Sequence, residues 1–119
     1  MTPTRRPIKI GMIFECGPQG PDQQVCEHLA RQLLSDVQIE PVTLVKKTTL
    51  IERCGAESAR LLKIGCERVV IVWDLNPDWG RQPHCRGRDR QEILDSLRAA
   101  EVDLERVALT PFLFLLAVA

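Results

Sequence analysis

The 119-residue chain has no tyrosine, and its only aromatic residues are three phenylalanines and two tryptophans. So small an aromatic inventory argues against a surface that stacks successive bases of a single strand. Nor is there a surplus of either charge: sixteen lysines and arginines balance sixteen aspartates and glutamates. A global field drawing the chain to nucleic acid or an anionic membrane is thereby excluded, and any such affinity must be local. A Cys-x-x-Cys pair is also missing. Cys16, Cys26, Cys54, Cys66 and Cys85 are odd in number and scattered, which argues against a disulfide framework or structural zinc site. They read instead as reduced thiols of a cytoplasmic protein. No apolar run reaches the roughly 20 residues of a membrane span; residues 8–14 and 112–119 both fall well short. Residues 1–6 form a polar, basic tail, expected to be disordered, with no apolar export signal behind it.

What is present alternates. Lys9-Ile-Gly-Met-Ile-Phe14 reads as a short apolar strand, broken by a loop of two glycines and two prolines that runs to Asp22. Asp22 is a candidate N-cap for a helix in which Val25, Leu29 and Leu33, and also Cys26, Ala30 and Leu34, recur at helical spacing. Residues 39–45 read as a strand, placed at an edge because Pro41 cannot donate to a ladder. A polar turn at 46–49 leads to a helix over 50–64 with Ile51, Cys54, Ser58, Leu61 and Leu62 on one stripe. Gly65 follows at the position where helices commonly stop. Val69-Val-Ile-Val72 is the strongest strand signal in the chain, and a continuous β-branched run implies burial on both faces, as at the centre of a parallel sheet. Residues 74–88 read as a long Pro-, Gly- and Arg-rich loop. A helix is expected over 89–100, with Ile93, Leu94, Leu97 and Ala100 inward, and a last strand begins at 107–109 before Pro111 interrupts it. Residues 112–119 form an apolar segment fit to meet a second copy or a partner protein. This β-α-β-α-β-α-β order predicts one domain over 1–119: an α/β three-layer sandwich around a central, mostly parallel, four-stranded sheet of Rossmann-like type.

Ligands of such sheets bind beyond the carboxyl ends of the strands, and acids stand there. Glu15 directly follows the first strand. Asp74 directly follows the central one, with Asn76 and Asp78 close behind. Carboxylate and amide oxygens at one rim suit Mg²⁺, or Mn²⁺; without a cation or a basic neighbour, clustered acids would raise one another's pKa. The bland alternative is that these side chains cap helices and bond turns, Asn76-Pro77-Asp78 being turn chemistry as it stands. Arg81, Arg86, Arg88 and Arg90 follow against a single Asp89. Their forked guanidiniums suit phosphate, although runs of surface charge usually mark no more than a solvated segment. Gly17-x-x-Gly20 precedes a helix and could cradle phosphate, without the lysine of a P-loop. His84 and Cys85 adjoin, but no oxyanion element accompanies them. Trp73 and Trp79 read as packing and walling the rim, with base stacking by Trp79 the alternative.

These residues resemble the TOPRIM domains of topoisomerases, primases and overcoming-lysogenization-defect nucleases. That family has a first strand ending in Glu, a Gly-containing loop, and often an Asp before the first helix; here Phe14-Glu15-Cys16-Gly17 and then Asp22. Its later strand ends in Asp-x-Asp; here Val-Val-Ile-Val-Trp-Asp74-Leu-Asn76-Pro-Asp78. The likeness runs over residues 8–110. It implies Glu15 as general acid/base or metal ligand and Asp74 as a ligand of Mg²⁺. Asn76 departs from the second acid of the pattern, with Asp78 as its substitute. The implied activity is Mg²⁺-dependent phosphodiester chemistry on DNA or RNA. A catalytically silent regulatory module, a small flavodoxin-like nucleotide-binding domain and a receiver-like domain are the alternatives.

Overall fold

The computed structural model describes residues 7–15, 17–18, 20–74 and 85–112; for 22, 74, 85–87, 111 and 112 it describes the backbone alone. Four strands and three helices alternate: β1 Lys9–Phe14, α1 Pro21–Leu33, β2 Gln38–Thr43, α2 Lys47–Lys63, β3 Arg68–Asp74, α3 Cys85–Ala99 and β4 Val107–Phe112. A short 3₁₀ turn, Leu104–Arg106, leads into β4. The sheet is parallel throughout, in the order β2-β1-β3-β4. The chain therefore steps one way from β1 to β2, then back across β1 to β3 and onward to β4. Since parallel crossovers are right-handed, that reversal puts α1 on one face and α2 and α3 on the other.

Packing agrees with this. On the α1 face Met12, Phe14 and Val72 meet Cys26 and Ala30. On the other face Ile13, Val69, Ile71 and Trp73 pack with Leu50, Cys54 and Leu61 of α2 and with Ile93 and Leu97 of α3. β3 contributes to both clusters at alternate residues, which is why its run of β-branched side chains is unbroken. Gly11 lies where α2 crosses β1: a Cβ there would stand 2.7 Å from Cδ1 of Leu61 and 3.1 Å from its Cβ.

Several boundaries differ from the sequence expectation. α1 is capped by Gly20 with Pro21 opening the helix, so Asp22 lies inside the first turn rather than at the cap. Proline at that position is pre-set for a helix and lacks only a donor that would go unbonded anyway. Leu29 and Leu33 are 54% and 84% exposed, leaving Cys26 and Ala30 as the packed stripe. Residues 47–49, read as a turn, form the first turn of α2. β2 ends at Thr43, and a γ-turn takes the chain straight into the helix: Lys46 N–H donates to Leu44 C=O at 2.6 Å around Val45, whose φ is +65°. α3 starts at Cys85, so 85–88, expected in the loop, are helical; arginine is a good helix former and Gly87 alone does not break a helix. β4 runs through Pro111 because β4 is an edge strand, where a missing N–H need cost no ladder bond. β2, the other edge, holds Pro41 as expected.

The α2 terminus is legible in the chain. Gly65 has φ +110°, its N–H bonds Leu62 C=O at 3.3 Å, and Cys66 N–H bonds Leu61 C=O at 3.0 Å. That is the Schellman arrangement. α3 ends in the same way, with Glu101 at φ +57° and bonds from Glu101 to Arg98 and Val102 to Leu97.

Candidate functional site

The order β2-β1-β3-β4 has its switch point between β1 and β3, where the connections leave the sheet in opposite directions and open a crevice at the carboxyl rim. β1 and β3 are hydrogen-bonded neighbours with Phe14 opposite Val72. Just beyond, Glu15 N–H donates to Val72 C=O at 3.2 Å. This locks the half-buried Glu15 to the end of β3, alongside Trp73 and one residue short of Asp74. Two acids far apart in sequence thus stand on adjacent strand ends because the sheet inserts β3 beside β1.

The remaining expected groups divide. The side chains of Asp74 and Arg86, and all of Asn76, Asp78, Arg81, His84 and Trp79, lie outside the described residues. Among the described residues no three His, Cys, Asp or Glu side chains gather as a metal-holding group. Arg88 is exposed and bonds Glu92 one turn along at 3.0 Å. Arg90, also exposed, lines the groove between α3 and β4 together with Leu94, Leu97 and Leu109. Gly20 N–H bonds Gly17 C=O at 3.0 Å, and among the described residues nothing lies within 4 Å of where a Cβ on Gly17 would stand. Trp73 is buried against the α2/α3 face, as expected of a packing residue, and its indole Nε1 has no hydrogen-bond partner among the described residues.

No family model, curated protein or solved structure matches the chain. The site therefore rests on its own geometry.

The sequence reading missed two features of the rim. One is the Val45 turn, which delivers the first turn of α2 to the carboxyl side of the sheet. A β-branched residue at positive φ is rare and strained, and nothing in the pattern Leu-Val-Lys-Lys announces it. The other is the pairing of Lys47 with Asp89 at 3.2 Å, with side chains 22% and 13% exposed. It ties the start of α2 to α3 across 42 residues of sequence, so no local motif encodes it. Among the described residues no helix is long and apolar enough to cross a membrane.

Proposed function

We propose that the rim between β1 and β3 is a TOPRIM-like site for phosphodiester chemistry on nucleic acid, dependent on Mg²⁺ or Mn²⁺, with Glu15 and Asp74 as its paired acids. The observation that carries this reading is the β1–β3 register, which sets the two acids on neighbouring strand ends at the switch point. The donor chemistry fits the ion, because hard oxygens from a few carboxylates suit Mg²⁺, which keeps much of its water. When bound, such a cation stabilises charge on a phosphoryl group. Glu15 would move a proton to or from a reacting oxygen as general acid/base, while Asp74, with Asn76 or Asp78, would hold the ion. Arg88 is occupied by Glu92 and Arg90 faces the α3–β4 groove. An exposed pair such as Arg88–Glu92 is weak and easily exchanged for phosphate, so Arg81, Arg86 and Arg88, with Arg90 at the edge of the run, would be its phosphate-binding arginines.

A second reading has its own support. The strand order 2-1-3-4 is that of the first four strands of flavodoxin-like sheets, whose ligands sit at this same crevice. A small nucleotide bound without hydrolysis is that alternative.

One set of measurements separates them. Labelled DNA and RNA are incubated with Mn²⁺ or Mg²⁺ and the wild type, Glu15→Gln or Asp74→Asn, and Mn²⁺ binding is followed by calorimetry. The proposal expects metal-dependent cleavage that falls by about 100-fold or more in Glu15→Gln, the scale of general acid–base catalysis, and loss of Mn²⁺ heat in Asp74→Asn. Equal cleavage by all three proteins removes the enzymatic reading. Nucleotide binding without metal dependence or cleavage selects the flavodoxin-like one.

A further inference from the structure

The two edges of the sheet are finished differently. β2 carries Glu40 and Pro41 at its middle, devices that keep an edge from pairing with another strand. β4 runs Val107-Ala108-Leu109-Thr110 without charge or proline before Pro111, and no strand among the described residues pairs with its outer side. Beside this edge, α3 and β4 enclose an open cavity of about 250 Å³ lined by Arg90, Leu94, Leu97, Leu104, Val107 and Leu109. A leucine-lined groove with a polar rim, alongside a strand edge that has no partner among the described residues, is a form that receives an added strand.

We propose that this edge is the interface with a second copy of the chain, β4 pairing antiparallel with β4 across a two-fold axis so that the two sheets become continuous. The choice of occupant follows from the charge pattern on α3. Arg90, Leu94 and Leu97 fall at spacings of four and three along α3, so that Arg90 stands near the start of the helix, and the exposed Glu101 stands in the left-handed turn that closes its other end. Reversed about its midpoint, between Asp95 and Ser96, the helix sets Arg90 toward Glu101 of the second copy, with the half-buried Leu94 of each copy between the two pairs. A stripe that complements itself when inverted is what a two-fold interface requires. Neither Arg90 nor Glu101 forms an ion pair among the described residues.

α3 lies on the same face beside this edge, with Ile93 and Leu97 in the core against β3 and Leu94 next to Val107 and Leu109 of β4. Pairing of the two edges about a two-fold axis normal to the sheet therefore brings the two copies of α3 alongside each other on one face, with Leu94 of each copy toward the other's groove. A net charge of zero leaves no long-range repulsion against self-association.

Sedimentation velocity on the full chain tests this. The wild type is expected to sediment as a dimer, at twice its 13.5 kDa mass, at concentrations of about 100 µM, on the scale of moderate interfaces. Arg90→Glu and Glu101→Arg each set like charges together twice per dimer and are expected to weaken association by about tenfold or more. The double variant, which exchanges the two charges, is expected to restore it. Circular dichroism checks that each variant folds, and both positions are exposed. A wild type that stays monomeric overturns the proposal. So does a dimer indifferent to both reversals, or a double variant no tighter than the single ones.

Discussion

Gly55 of α2 lies directly against Ser96 of α3, and replacing it with alanine isolates the energetics of that contact. A Cβ at this position would stand 2.1 Å from the carbonyl oxygen of Ser96 and 2.7 Å from its carbonyl carbon. An ordinary contact begins near 3.4 Å, so relief requires a shift of about 1 Å. The obstacle is helix backbone, which no rotamer change can move aside. The same approach lets Gly55 N–H reach Ser96 Oγ at 3.1 Å, and separating the helices stretches this bond as well. Overpacking of this kind costs about 1–3 kcal/mol, and a backbone obstacle belongs at the upper end. Against it, alanine in a helix interior gains about 1 kcal/mol over glycine. The net expectation is a loss of about 2 kcal/mol. For a domain of this size that is a fall in Tm of about 8 °C, taking about 4 °C per kcal/mol. Urea unfolding monitored by circular dichroism measures it, with the midpoint falling and the slope unchanged. If Gly55→Ala is neutral or more stable, helix propensity outweighs the contact, and α2 and α3 do not approach as described.

Further outcomes follow from single groups. Ser58 is fully buried with a hydroxyl that has no hydrogen-bond partner among the described residues; Ser58→Ala is expected to stabilise the fold by about 1 kcal/mol in urea titrations, since it removes a desolvated polar group, and a loss of stability would mean the hydroxyl is bonded. Val45→Gly is expected to raise stability by about 1 kcal/mol in the same assay, because a β-branched residue at φ +65° is strained and Val45 is 61% exposed; no gain would refute the strained turn. Burial pushes the thiols of Cys54 and Cys66 up from the ordinary value of 9.0. Both therefore hold their protons in the folded state at a pH where the unfolded chain has lost them. Their contribution is intact below about pH 9 and is lost as pH rises toward the folded values, at up to about 1.4 kcal/mol per pH unit for each thiol. Unfolding free energies measured between pH 8 and 10.5, for the wild type and for Cys54→Ala, check this, and an unchanged slope in the variant would exclude Cys54 as a source.

The elements were legible because their signals are local. The hydrophobic run 69–72 demanded burial on two faces, and β3 is the strand that feeds both core clusters. Pro41 marked an edge strand, and Gly65 marked a helix end that is held by a Schellman pair. Boundaries failed where a neighbour decides. α2 begins at Lys47 because the Val45 turn and the Asp89 partner hold its first turn, and α3 begins at Cys85 despite its loop-like composition. The 25/29/33 stripe of α1 was as periodic as the 26/30 stripe, yet Leu29 and Leu33 are exposed. Periodicity finds an apolar face, but the number of strands beneath the helix decides how much of it is covered.

The alternation of strand and helix, the centrality of β3 and the placing of one acid at the end of each of two strands can be read along the chain, because each depends on residues within a few positions of one another. It took the folded sheet to put β3 beside β1, to bond Glu15 N–H to the end of β3, and to leave the outer side of β4 without a partner strand among the described residues. Strand order is a choice among long-range pairings of nearly equal local merit. It is settled by which helices can cover which face under right-handed connections, a constraint that acts on the whole sheet and leaves no mark on any short stretch of chain.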